Sequence, residues 1–310
     1  MTADRARPWL VTGAGGMLAR DLLAELAAAG LPAVAATRRD LDITDPAAVR
    51  AAFAAHRPAV VVNCAAWTAV DAAEEHEPEA YAINATGPRL LSAACRESGA
   101  LLLHLSTDYV FDGQARTPYA EDAPTAPRSA YGRTKLAGEQ AVRTLLPHTG
   151  YIIRTAWLYG AGGTSFIRTA INLERTRPTV DVVTDQLGQP TWTADLAHRL
   201  VELGVRALVG AAPPGTYHGT STGTTTWFTL CQEVFRLLGA DPARVRPTTS
   251  DRYVRPAPRP AYSALAHDRW QAAGLPPLRH WRTALTEAFP TLLPPPEPPP
   301  TPATTPARNP

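Results

Sequence analysis

Apolar positions along this chain fall into short unbroken runs separated by longer stretches in which they recur at helical spacing. Trp9-Leu10-Val11-Thr12 is a strand-sized run that enters Gly13-Ala14-Gly15-Gly16-Met17-Leu18-Ala19, and Asp21 to Ala29 then reads as a helix. Ala33 to Ala36 is the next short run, and Asp45 with Pro46 stands as N-cap and first residue of a second helix. Ala59 to Ala66 is continuously apolar, apart from Asn63, as a strand buried on both faces would be, and small residues at its end leave room for a ligand. A helix from about Pro78 to Ser98, a strand over Leu101 to Leu105, a helix from about Tyr131 to Leu145 and a strand over Tyr151 to Arg154 complete the series. Such alternation predicts an α/β fold, a Rossmann-type doubly wound parallel sheet. Ligands of such sheets bind beyond the carboxyl ends of the strands, where Gly16, Ala66 and Thr107 fall.

After Arg154 the pattern loosens into Gly-rich Tyr159 to Thr164, a helix near Phe166 to Glu174 and the turn-rich Asp185 to Thr191, read here as the substrate side. Trp227, Cys231, Val234 and Leu238 recur at helical spacing before Gly239, which marks a core helix. The expected division is a cofactor-binding domain over 1–155 that also receives part of 179–206, and a smaller C-terminal substrate domain over 156–290. From Thr291 to Pro310 proline dominates, and this stretch is expected to be a disordered tail.

Composition narrows the partners. The formal net charge is +2 with arginines scattered along the chain, which argues against nucleic acid, and no apolar run approaches the length of a membrane helix. Cys64, Cys95 and Cys231 lie far apart without metal-ligand or redox spacing, as in a reduced cytoplasmic protein.

The candidate chemistry centres on Ser106-Thr107-Asp108-Tyr109 and Tyr131-Gly132-Arg133-Thr134-Lys135. Tyr131 and Lys135 stand four apart, on one helical face. A carbonyl reduced by hydride needs a proton on oxygen; a free phenol, of pKa about 10, gives its proton up reluctantly, and a nearby ammonium would lower that pKa. Thr107 would offer a hydroxyl to the same oxygen. Lys135 is the only lysine of the chain, every other basic residue counted with it being arginine. The glycines from Gly13 to Gly16 suit a pyrophosphate at a helix N-terminus. Thr37-Arg38-Arg39 stands where an acidic residue would hold a free ribose 2′-hydroxyl, so Arg38 and Arg39 point to a 2′-phosphate and hence NADPH, with NADH as the alternative. Asp42 and Ile43 could flank the adenine. Arg255 and Arg259, set among prolines, could grip a diphosphate.

These motifs, with Ser106 to Gly113 reading Ser-Thr-Asp-Tyr-Val-Phe-Asp-Gly, Val62-Asn63-Cys64-Ala65-Ala66, Ala69-Val70-Asp71, Asp185 to Thr191 and Arg259 to Ser263, resemble extended short-chain dehydrogenase/reductases, and more narrowly the dTDP-4-dehydrorhamnose reductase and nucleotide-sugar 4-ketoreductase family. The resemblance covers nearly everything before the tail. It implies hydride transfer from NAD(P)H to C4 of a dTDP-4-keto-6-deoxy sugar, in deoxysugar biosynthesis. It assigns proton donation to Tyr131, tuning and ribose binding to Lys135, and orientation of the keto oxygen to Thr107. It matches Gly16, Met17, Leu18, Ala65 and Ala66 with cofactor contacts, and Asp108 and Trp157 with substrate contacts. Members can hold magnesium between subunits through three glutamates; here Asp21 and Glu287 take two of those places and Ala194 the third, so no metal is expected and a homodimer would not be metal-bridged. A regulatory subunit of the same fold and a nucleotide-sugar epimerase are the alternatives. The string Thr107-Asp108-Tyr109, in place of the Thr-Asp-Glu of dehydratases, implies a simple reductase.

Overall fold

The computed structural model describes residues 7–293. Its first half runs β1 (Trp9–Thr12), α1 (Met17–Ala28), β2 (Ala33–Ala36), α2 (Pro46–His56), β3 (Val60–Asn63), α3 (Ala72–Glu75), α4 (Glu77–Tyr81), a π-helical turn (Ala82–Thr86), α5 (Gly87–Ser98), β4 (Leu101–Thr107), α6 (Ala130–Leu145) and β5 (Gly150–Thr155). Then come β6 (Leu158–Tyr159), α7 (Phe166–Thr176), β7 (Val180–Val183), β8 (Leu187–Gly188), β9 (Thr191–Trp192), α8 (Thr193–Leu208), β10 (Gly215–His218) and, further on, α9 (Trp227–Leu237).

Six strands form one parallel sheet in the order β10-β5-β4-β3-β1-β2. The order reverses at β1, which opens a crevice between the ends of β1 and β3, with Thr12 opposite Asn63. The two are joined by side chains as well, since Thr12 donates to Asn63 at 2.7 Å and Asn63 contacts His104 of β4 at 3.0 Å. Trp9, Leu22, Leu26, Leu200 and Leu203 pack on one face of the sheet, and Leu10, Phe53, Leu91 and Ile152 on the other. A second core gathers Ile167, Val180, Val234, Phe235, Trp281 and Phe289 around α9, where the strand Val245–Thr248 pairs with β7.

The element boundaries correct several expectations. Helix α1 begins at Met17 rather than Asp21, directly after Gly16, with no side-chain cap and no acidic residue in its first turn. Leu18, Ala19, Leu22 and Leu26 are buried along it, so packing holds a helix end that carries no sequence signal. The helix expected over 78–98 is broken into α4, the π turn and α5, with Pro88 at the start of α5. The last helix, Trp281–Leu292, passes through Pro290 and buries Leu292 to 1 % exposure, so the boundary expected at Thr291 falls inside a packed helix. The remaining residues of the expected tail lie outside the described ones. Among the described residues no helix is long and apolar enough to cross a membrane.

Candidate active site

A cavity of about 690 Å³ opens at the crevice between β1 and β3. Gly13, Gly16, Met17 and Leu18 line it from the turn and α1, Arg38, Asp42 and Ile43 from beyond β2, Ala65 and Ala66 from beyond β3, and Tyr131 and Lys135 from α6. The residues expected around the cofactor therefore face one space, with one exception. Arg39 does not line it. Gly13 has φ +65°, and a Cβ there would come within 2.7 Å of the Ala65 backbone nitrogen, so the turn can lie against β3 only because no side chain intervenes. The uncapped start of α1 leaves unpaired N–H groups beside that turn, a cradle suited to a pyrophosphate.

Tyr131 is held by everything around the start of α6. Ser129 accepts from Gly132 N at 3.1 Å, Glu74 accepts from Ala130 N at 2.8 Å, and Glu77 pairs with Arg133 at 2.6 Å. Gly132 lets the helix press on the turn after β4, since a Cβ there would sit 2.2 Å from the Tyr109 carbonyl oxygen. The Tyr109 ring consequently meets Tyr131 edge to face, centroids 5.6 Å apart. Asn84 of the π turn secures the opposite side, accepting from Trp67 N at 2.9 Å and donating to Thr134 at 3.1 Å.

Burial pushes the Tyr131 phenol up to about 12, against a downward pull from its hydrogen bond with Thr107. Lys135 is 2 % exposed, and burial lowers it to about 8 while the Glu139 carboxylate works the other way. Its ammonium donates to the Leu105 carbonyl at 2.6 Å. Lys135 thus points its ammonium at the end of β4, while Thr107 is the hydroxyl that bears on the Tyr131 phenol. Thr107 donates to Asp108 Oδ1 at 2.9 Å. Burial raises Asp108 to about 6, and its other oxygen lies beside the Ser263 hydroxyl without a well-formed hydrogen bond. Burial also pushes the Tyr109 phenol well above its ordinary value, which leaves it poorly suited to act as a base.

Beneath these groups lies a buried ion pair. Arg154 of β5 grips Glu139 of α6 through two bonds of 2.9 Å, and Ser106, next to Thr107, donates to Glu139 at 2.5 Å. Burial works to raise the Glu139 carboxyl, but Arg154, Arg143 and Ser106 hold it below the usual carboxylate range.

A second cavity, of about 990 Å³, is lined by Phe166, Val180, Gln186, Trp227, Arg255 and Arg259, among others. Trp157 has φ +48° and stacks on Trp227, with centroids 3.4 Å apart and planes 9° apart. Trp227, read from the sequence as core, is half-buried and donates from its indole to Gln186 at 3.0 Å; the helical spacing was right, but the first position of α9 faces the cavity. Gly162, Gly163 and Thr164, expected on the substrate side, line the first cavity instead. Ile83 and Thr68 line it without any signal in the sequence, since they sit on the broken segments between β3 and α5. Arg259 pairs with Asp71 at 2.7 Å. Asp21 accepts from Thr193 and Glu287 pairs with Arg279, so both carboxylates of the supposed metal place are engaged.

The family described as RmlD substrate binding domain matches residues 7–293. The chain belongs to that family. This RmlD-family chain is 64% identical over 284 residues to a dTDP-4-dehydrorhamnose reductase of Streptomyces griseus, covering 92% of the chain and 93% of the relative. It is 58% identical over 284 residues to a dTDP-4-keto-6-deoxy-D-glucose reductase of Streptomyces niveus, covering 92% and 97%. The crystal structure of the Bacillus anthracis dTDP-4-dehydrorhamnose reductase in complex with NADP superposes on it with a TM-score of 0.86 at 35% identity, over 91% of this chain and 98% of that one. The α/β Rossmann-type fold is therefore the fold of the family.

Proposed function

We infer that this chain is an NADPH-dependent oxidoreductase that reduces the C4 keto group of a dTDP-linked 4-keto-6-deoxy sugar in deoxysugar biosynthesis. The observation that carries the reading is the meeting, in one cavity, of a glycine cradle at an uncapped helix start with Tyr131 and Lys135, next to Thr107. The names of the relatives and the NADP bound to the Bacillus anthracis protein support the same chemistry.

The residues present fit the cofactor. Backbone N–H groups from Gly13 to Leu18 would hold the pyrophosphate, Arg38 the 2′-phosphate, Asp42 and Ile43 the adenine side, and Ala65, Ala66 and Lys135 the nicotinamide side. When bound, NADPH supplies the hydride. Tyr131 stays protonated across the physiological range and donates its proton to the keto oxygen as hydride reaches C4. Thr107 and Asp108 bind the sugar beside it. Lys135 supplies a positive charge that stabilises the phenolate left behind. In the second cavity, Trp227, backed by the stacked Trp157, offers its ring to the nucleoside, and Arg255 and Arg259 offer guanidinium groups to the diphosphate. The free cysteines Cys64, Cys95 and Cys231 support a cytoplasmic location.

The test uses excess dTDP-4-keto-6-deoxyglucose, with and without a 3,5-epimerase, and a sub-stoichiometric amount of NADPH deuterated at the transferred position. The expected result is deuterium at C4 and a reaction that stops as NADPH is used up. Turnover that continues on trace cofactor would make the protein an epimerase or dehydratase instead.

A further inference from the structure

Arg259 lines the second cavity, yet its guanidinium is already committed. Nη2 donates to Asp71 Oδ2 at 2.7 Å and Nη1 to the Ala257 carbonyl at 3.0 Å. The other oxygen of the same carboxylate accepts from Ala257 N at 3.3 Å. Asp71 belongs to the cofactor half, in the connection from β3 that passes Ala65 and Ala66. It occupies the residue before α3 without capping that helix, so its carboxylate serves the loop across the cleft instead.

The loop from Ser250 to Arg259 opens with a short 3-10 turn, Ser250–Arg252, and is fastened by side chains at both ends. At its start, Ser250 donates from N and Oγ to Asp185, both at 2.8 Å, and accepts from Gln186 at 2.8 Å. Asp71 holds its end. Between them Val254 is 92 % exposed, and Tyr253 is held by its backbone N on the Ser250 carbonyl, at 3.0 Å, and by its hydroxyl on the Asp181 carbonyl, at 3.3 Å. A partly exposed ion pair contributes little to stability, but one that also ties a backbone N–H and a pinned guanidinium fixes a conformation.

We propose that Asp71 is a positioning residue for substrate binding: it fastens Ala257 and Arg259 to the cofactor half, so that the diphosphate meets a guanidinium already in place. The proposal rests on the reading of the second cavity as the site of the nucleoside diphosphate. The order this imposes is paid by the protein before the substrate arrives, so its removal weakens binding and leaves the chemical step alone.

The experiment compares Asp71→Asn and Asp71→Glu with the unaltered enzyme. Three quantities are read: KM and kcat for the keto-sugar nucleotide at saturating NADPH, the affinity for dTDP by calorimetry, and amide hydrogen exchange of residues 250–259. In Asp71→Asn, KM and the dTDP Kd are expected to rise about tenfold with kcat within about twofold, and exchange to quicken in this loop but not in the sheet. Asp71→Glu keeps the charge and should recover part of the loss. Unchanged affinity in Asp71→Asn, or exchange that does not quicken in the loop, would overturn the proposal. Tighter dTDP binding would overturn it too, because Asp71 would then be competing with the ligand. A chain that reduces no keto sugar but loses dTDP affinity in Asp71→Asn would sink the reductase reading and leave the role of Asp71 standing.

Discussion

At the scale of single residues, the ordering of acidities around Tyr131 sets the pH behaviour. The buried phenol keeps its proton at neutral pH, whereas Lys135, lowered to about 8, loses its charge as pH rises through that value. The rate of reduction at saturating substrates is expected to be level below pH 8 and to fall about tenfold per unit above it, as the ammonium disappears. A kcat profile flat to pH 10 would remove Lys135 from the chemistry. Tyr131→Phe should cost about two to four powers of ten in kcat with NADPH binding intact, as stopped-flow titration would read. Arg38→Ala should reduce the preference for NADPH over NADH by about 1.5 to 3 kcal/mol, measured as the ratio of kcat/KM values, and Arg39→Ala should not. These residues were legible because each belongs to a short motif whose spacing carries its own chemistry. Asp71 was legible only as part of Ala69-Val70-Asp71; its pairing with Arg259 was not, since the two are distant in sequence and share no periodicity.

At the scale of elements, α6 carries the site and is tied to the sheet by charge. Glu139 is fully buried between Arg154 and Ser106, so Glu139→Gln leaves a buried guanidinium without its counter-charge. A loss of about 3 to 5 kcal/mol in urea unfolding is expected. The sign with pH follows from the lowered carboxyl: stability from this pair is present above the ordinary glutamate range and is lost as pH falls through the folded value. The substitution should therefore abolish part of the acid sensitivity. Five of the six strands of the sheet were read to within about three residues, because runs such as Val60 to Val62 are buried on both faces, whereas the outer strand β10 and the short strands of the second half were not read. The segment from Ala72 to Thr86 was not, because its breaks at His76 and in the π turn are set by contacts with α6 that no local pattern encodes.

At the scale of the whole molecule, the chain crosses back. Helix α8 packs on α1, its Leu196, Leu200 and Leu203 joining the same core as Trp9 and Leu22, and β10 then adds an outer strand beside β5. A fragment ending at Thr155 would expose that face of the sheet, and it is expected to show no cooperative melting by circular dichroism where the full chain melts in one transition. The second core carries one stacked pair of rings: Trp157, which follows β5, and Trp227, which begins α9, both pack against it. Two indoles at that spacing and near-parallel orientation are coupled oscillators, so their excited states mix and split into a signed pair of bands. The protein thus contains an optical gauge of the packing around its second cavity, one that Trp227→Phe would erase and that any ligand wedged between the rings would dim.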